Sequence, residues 1–447
     1  MTSTARGEVA TAGHPGSPAL DRHPRGLYVL FATEMWERFS FYSMLSLFTL
    51  YLQNPNEGFG WSVESATRLY SNYLMFVYAS PLIGGWLADR KLGYRRSVMI
   101  GGFFFMAGHL LLSFRSLPVV YVALACLVVG NGLFKPNVST MVGNLYPEGS
   151  HLKDRAYNIF YMGINIGAFL APVVMEIVKN RFGNHPAFAV AAFGMVISVG
   201  ILWRFKRLVE DPERSGSPQP VATQRAASAM DAIPEWRRIS ALVVIYIIVI
   251  VFWMAFHQNG STLTYWADQN TEWSVSGTIS NAINPFWVVT LTFPLVWFWR
   301  WLDRRGLEPS TPAKMTIGMT LTGLSFFILY AAARVGEARA TGGDPYAFKV
   351  SPAWLIAAYA VVTLGELMLS PMGLSLVSKV APVRVRGVMM GGWFVATAIG
   401  NKLTMIGVYW DRWLHSTFFA LLGAMALVMA FVLLLLLRPL KRAMPGV

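Results

Sequence analysis

Glu34, Glu37 and Arg38 are the only charged residues between positions 27 and 53, a run that is otherwise rich in Leu, Phe and Tyr. Their spacing of i, i+3 and i+4 stacks all three on one face of a helix, and Tyr42 continues that face one turn later. A charge at the centre of a membrane helix costs roughly 2.5–3.5 kcal/mol on insertion scales, so such residues face partners or a cavity rather than lipid. An acid and a base side by side in a dry interior pair with each other. A proton taken up by the glutamate then releases the arginine. The chemistry read from this cluster is proton uptake coupled to a change of charge partners.

Further polar residues recur at depth in other apolar runs. Lys135 lies in GNGLFKPNVS, where Pro136 loosens the backbone beside it, and Asn165 lies in FYMGINIGAFLAP. FWMAFHQNGS brings Trp253, His257 and Gln258 together, Asn284 precedes Pro285, and GELMLSPMG holds Glu366 and Ser370. Trp393 and Phe394 are followed by Lys402. Each also has a plainer reading. The asparagines can bond neighbouring helices, His257 can be a satisfied core histidine, the tryptophan and phenylalanine can be packing, and Lys402 can snorkel to an interface. The charges are harder to explain away. Arg38 and Lys135 come from the first half of the chain and attract a carboxylate, whereas Glu366 comes from the second half and attracts an ammonium. A cavity positive on one wall and negative on the other suits a zwitterion, with Tyr42, Tyr78, Trp253 and Trp393 to line it. A phosphate-binding loop, nucleophile elbow or metal-ligand spacing is not found, so ATP hydrolysis and hydrolytic catalysis are not indicated, and no cofactor or metal is expected.

The elements that must position these groups follow from composition. The chain has 447 residues, 55% hydrophobic and 13% charged, with a net charge of +14. A soluble domain carries about 25% charged residues. Apolar runs of about 20 residues recur, the length that crosses a hydrocarbon core. The reading is an all-α polytopic membrane protein with twelve spans, at 27–53, 66–88, 97–114, 117–145, 156–178, 186–207, 238–266, 277–301, 312–334, 351–380, 386–410 and 416–438. Residues 1–26 lack the apolar core of a signal peptide and read as a tail, as do residues 439–447. The polar segment 208–237 divides a half at 27–207 from a half at 238–438. Lys and Arg concentrate in the tails and the even-numbered loops, which places both termini in the cytoplasm and explains the basic balance without nucleic acid. The single cysteine, Cys126, excludes an internal disulfide. WLADRKLG after span 2 is echoed by RWLDRRGL after span 8, a repeat that fits two parallel six-helix halves with a midplane site, the major facilitator arrangement. In that reading Gly85, Asp89, Arg90 and Gly93 of GGWLADRKLGYRR form a conformational-switch loop, whose plainer reading is a basic turn.

EMWERFSFY resembles the ExxERF motif of the proton-dependent oligopeptide transporters. The resemblance runs on through GGWLADRKLG, GLFKPNVS, FYMGINIGAFLAP, WMAFHQNGS, INP and GELMLSPMGLSLVSKVAP, over nearly all spans and in order. It implies symport of di- and tripeptides with protons, driven by the proton gradient, in a bacterial inner membrane or plasma membrane, by a chain that works as a monomer. Carried over by position, Glu34, Glu37 and Arg38 match the proton-coupling motif, and Lys135 the family's span-4 lysine. Glu366 matches the acid that receives the peptide amino group, and Asn165 and Asn284 the amide pair near it. Tyr42, Tyr78 and Trp393 match aromatic pocket positions.

This chain departs from the family pattern at several points. Phe41 removes one tyrosine hydroxyl, His257 stands where span 7 usually has a glutamate, and Leu45 stands where span 1 has the arginine that pairs with it. The linker is too short for the two extra helices of many bacterial members. With the outer pair missing, His257 becomes a candidate proton carrier, since imidazole titrates near neutral pH. Competing readings are a family-related carrier of nitrate or a single amino acid, a drug exporter, and a non-transporting receptor. Glu366 argues against a simple anion, the zwitterion-complementary charges against an exporter, and the lack of a large soluble domain against a receptor.

Overall fold

The computed structural model describes residues 22–146, 152–209, 233–340, 344–382 and 385–444. Most of the predicted linker (210–232), most of the first tail (1–21) and the last three residues lie outside the described residues. The chain is predominantly helical. Its first six helices are α1 (Arg25–Gln53), α2 (Val63–Leu87), α3 (Tyr94–Leu111), α4 (Leu117–Asn144), α5 (Leu152–Phe182) and α6 (Asn184–Arg204). After the linker come α7 (Glu235–Phe256), the short α8 (Thr262–Gln269), α9 (Ile283–Asp303), α10 (Thr311–Glu337), α11 (Pro352–Val380), α12 (Arg386–Leu403) and α13 (His415–Ala443). Eight helical stretches among the described residues are long and apolar enough to cross a bilayer. Large side chains such as Ile83, Phe193, Phe293 and Trp297 are exposed, as hydrocarbon-facing positions require.

Helix starts follow local chemistry. Ser62 caps α2 by accepting from the Ser65 amide at 3.3 Å, and Ser351 caps α11 with Pro352 in the first turn. Small residues set the packing. α5 crosses α1 at Gly167, where a Cβ would lie 2.3 Å from the Met35 carbonyl oxygen and 3.2 Å from the Arg38 Cβ. Only glycine lets the two backbones approach this closely, and the approach happens beside the charged cluster. α1 packs on α5 and α6, α4 on α2 and α3, α7 on α12 and α13, and α10 on α11 and α13. One hydrophobic core draws only on residues 27–209, and two more draw on residues 241–444 with Val63 joining one of them. Between these groups run two long contacts, α2 with α12 and α5 with α9.

Three predicted spans are not continuous α-helices. The span expected at 238–266 stops at Phe256, turns through a 3-10 segment His257–Gly260, and resumes as α8. Side chains satisfy its backbone: Thr49 of α1 donates to the Gly260 carbonyl at 3.2 Å, and Thr264 of α8 to the Asn259 carbonyl at 2.8 Å. Gln258 adds the last tie, donating to the Met254 and Thr404 carbonyls at 3.3 and 3.2 Å. Irregular backbone at depth is tolerated where such partners exist. Likewise the span at 277–301 begins as a 3-10 turn, Gly277–Ala282, and the one at 386–410 ends as one, Thr404–Tyr409. DRKLG, read as a turn, continues α2 as a π-helical segment, Ala88–Leu92. The chain then reverses at Gly93, whose φ of 75° favours glycine.

Candidate functional site

The charged face of α1 forms a buried cluster. Arg38 is 2% exposed, and Glu34 and Glu37 still less. The Arg38 guanidinium grips Glu37 with two bonds, Nη2 to Oε1 at 2.6 Å and Nε to Oε2, while Glu34 Oε1 lies 3.4 Å from the same Nε. Its remaining reach is to Asn131 Oδ1 on α4 at 3.4 Å, and Asn131 is itself fixed to the Val77 carbonyl of α2 at 2.7 Å. Phe41 packs under the guanidinium, 4.8 Å from ring centre to Cζ. Glu34 Oε2 is buried and takes no hydrogen bond among the described residues. Two carboxylates thus compete for one guanidinium, and a proton arriving at either changes which one holds it.

Lys135 lies one turn beyond Asn131 on α4. Its ammonium sits over the Tyr78 ring, 4.8 Å from the centroid. Tyr78 in turn meets His257 across the boundary between the two helix groups, with ring centres 5.4 Å apart. His257 is half-buried among Tyr78, Trp253 and Phe256, and its ring makes no hydrogen bond among the described residues. Tyr78 therefore carries a lysine from the first group and a histidine from the second. Trp253 is buried, and its indole N–H has no partner among the described residues.

Glu366 of α11 forms the opposite pole. Asn284, in the first turn of α9, donates to its Oε2 and to Thr363 Oγ1, both at 2.9 Å. Glu366 is half-buried, and its other oxygen takes no hydrogen bond among the described residues. Pro285 follows Asn284 where the amide is unneeded, in the first turn of the helix. Phe286, two residues after Asn284, meets the Phe169 ring of α5 with centres 6.4 Å apart, so this end of α9 lies against the first group. Ser370 follows Glu366 by one turn on the same face and is half-buried. The negative pole thus belongs to the second group and the basic residues to the first.

Other predicted residues stand differently. Asn165 is 7% exposed and donates to the Tyr161 carbonyl of its own helix at 2.9 Å. Trp393 is packed in the core at 2% exposure, against Gly373 and the Tyr246 ring. In this arrangement it is a packing residue, because α11 is too close at Gly373 to leave its ring a free face. Gln258 faces Thr404 rather than the side of Tyr78 and His257. Gly85 lies in the last turn of α2, and Asp89, Arg90 and Gly93 lie on the α2–α3 connection, with Asp89 and Arg90 exposed and Arg90 over the Trp86 ring.

Hydrogen bonds join the two helix groups at the end of the bundle that carries the α1–α2 loop. Thr67 meets Ser261 and Tyr265 through hydroxyls at 3.4 and 3.3 Å, beside the Thr49–Gly260 bond. Arg412 bonds Glu64 at 2.6 Å, and Lys402 bonds Asn72 instead of reaching for an interface. Leu45 is buried in the core of the first group. Asn131, Asn72 and Glu176 escape sequence reasoning. A buried amide one turn before Lys135 was the only sign of the first, and the other two look like ordinary helix polar residues.

Comparison with known proteins agrees with this geometry. The model of the POT family matches residues 95–230 and 215–410. The chain is 32% identical to the transporter YclF of Bacillus subtilis (strain 168), over 95% of this chain and 96% of that one. It is 29% identical to the di-/tripeptide transporter of Lactococcus lactis subsp. lactis (strain IL1403), over 95% and 97%. Among solved structures, the peptide transporter POT in complex with sulfate superposes with a TM-score of 0.82 at 29% identity, covering 96% of this chain and 97% of that one. A mutant of that transporter in complex with alafosfalin gives 0.83 at the same identity and coverage. The chain belongs to the POT family and is a multi-pass membrane transporter.

Proposed function

We propose that this chain imports di- and tripeptides with protons by alternating access between two six-helix halves of major facilitator type, residues 27–207 and 238–438. What supports the reading is the division of charge between the helix groups: Glu366, oriented by Asn284, belongs to the second, and Arg38 and Lys135 belong to the first. A peptide's ammonium docks at Glu366 and its carboxylate at Lys135 and Arg38, while Tyr42, Tyr78, Trp253 and Ser370 offer contacts to the groups between. By its match to the family pattern, Asn165 serves the amino-group pole. The relatives named di-/tripeptide transporters support the cargo.

Proton coupling resides in Glu34, Glu37 and Arg38. While Glu37 is ionised it holds Arg38. Once it is protonated the guanidinium is free for the peptide carboxylate. His257 takes part through Tyr78, where its charge and that of Lys135 oppose each other. The bonded end of the bundle is the outer side, both termini are cytoplasmic, and Gly85, Asp89, Arg90 and Gly93 act as the inner switch. The chain works as a monomer in the cell membrane, with the proton gradient as its energy source and no cofactor. Labelled dialanine uptake into proteoliposomes tests the reading. Accumulation is expected only with an inward proton gradient, and equal uptake with and without the gradient overturns it.

A further inference from the structure

The carboxylate of Glu176 lies far from the cluster on α1, near the C-terminal end of α5, and is 6% exposed. Its oxygens are fully engaged. The Ser276 amide donates to Oε1 at 2.9 Å, the Ser276 hydroxyl to Oε2 at 2.5 Å, and Asn180 to Oε1 at 2.9 Å. Lys179 stands 3.3 Å from Oε2 and also bonds the Ser276 hydroxyl and, at 3.4 Å, Thr278. Ser276 caps the 3-10 turn Gly277–Ala282, and that turn runs without interruption into α9. Eight residues after Ser276, about 15 Å along the axis, comes Asn284, the donor that orients Glu366. A carboxylate of the first helix group thus caps the element of the second group that carries the substrate-orienting amide.

We propose that Glu176 is a positioning residue: it latches α5 onto the start of α9 when the outer side is closed. Lys179 and Asn180 belong to Glu176's own helix, so the carboxylate remains compensated when Ser276 leaves. Asp268 holds the Gly277 amide at 2.8 Å from within the second group, so the 3-10 turn survives release as a unit. The latch stands in the region where the family's arginine–glutamate pair is missing, but it uses a backbone amide and a hydroxyl as the partner in place of an opposite charge.

The inference rests on the alternating-access reading, and its test separates the two. Spin labels at Asn56→Cys and Arg339→Cys, in a Cys126→Ser background, report the outer separation by electron-electron distance measurement without any need for transport. Glu176→Ala is expected to shift the distribution to longer distances and to lower the maximal rate of dialanine uptake about tenfold with KM unchanged or lower. Glu176→Gln, which keeps an acceptor for the Ser276 amide, is expected to restore most of both. Ser276→Ala, a milder change to the same contact, should lengthen the distances in the same direction. Parent-like distances in Glu176→Ala, or a raised KM with distances unmoved, overturns the latch. If the parent fails to move dialanine, the peptide reading fails while the distance measurement still decides on Glu176.

Discussion

Replacing Glu366 by glutamine removes one negative charge and almost no volume. The carbonyl oxygen of the new amide can still accept from Asn284, now 2.9 Å from Oε2, so the local fold has a way to persist. The ammonium of a bound peptide, however, meets a neutral group where it had met the unoccupied carboxylate oxygen. A hydrogen bond to a charged partner contributes about 1.5–3 kcal/mol, which converts to a loss of roughly 10- to 150-fold in affinity. Dialanine should therefore bind to Glu366→Gln that much more weakly in calorimetric titrations of the solubilised protein. N-acetyl-dialanine has no ammonium and should change by less than about twofold. Asn284→Ala leaves the charge and removes only its orientation, so dialanine should lose less, about 3- to 10-fold. An equal loss for the free and the acetylated peptide in Glu366→Gln refutes the assignment, because it would mean that the acid holds helices rather than substrate.

Other perturbations address the remaining parts of the site. Glu37→Gln leaves Arg38 without its strongest ion pair, and should abolish uphill uptake while peptide exchange at equal concentrations continues; concentrative uptake at the parent level would remove Glu37 from the coupling. His257→Gln should move the pH profile of proton-driven uptake, and Leu45→Arg with His257→Glu should recover transport better than either change alone. An unmoved profile with uniformly lower activity would mean that the histidine only packs. Gly167→Val puts a side chain where a Cβ already falls 2.3 Å from the Met35 carbonyl. Overpacking of about 1–3 kcal/mol or more should lower the melting temperature of the purified protein, and an unchanged melting curve would show that α5 can retreat from α1.

Sequence legibility followed sequence distance. The α1 cluster was visible because Glu34, Glu37 and Arg38 share one helix, where spacing alone decides the face. Lys135 and Glu366 were visible because a charge in an apolar run demands a reason. The partners that complete them come from elsewhere: Asn131 is 93 residues from Arg38, and Asn284 is 82 from Glu366. Periodicity carries no information about such pairs. The family resemblance supplied Asn284, whereas Asn131 had no motif to mark it. The break at His257–Gly260 was hidden because hydropathy stays high on both sides, and the Gln258 bonds that stabilise the break end on Met254 and Thr404. Trp393 illustrates the opposite failure. Its residue type suits a pocket, but Gly373 brings α11 against its ring.

The ion pairs described above share an arrangement that bears on how fast the two groups of helices can part. Glu64 reaches across to Arg412, yet it also holds Arg68 on its own helix at 2.8 Å. Glu176 reaches across to Ser276, yet it keeps Lys179. Arg38 has both its carboxylates on α1. Deeper in the seam, crossing bonds are made by the neutral hydroxyls of Thr49 and Thr67 and by Lys402 to the Asn72 amide. For Glu64, Glu176 and Arg38, separation therefore strands no lone charge in a medium of low dielectric, a state that costs several kcal/mol per ion, whereas Lys402 gives up the Asn72 amide oxygen. What must be broken is a series of bonds each contributing about 0.5–1.5 kcal/mol. Such a seam can yield one contact at a time, and its opening rate should depend only weakly on ionic strength.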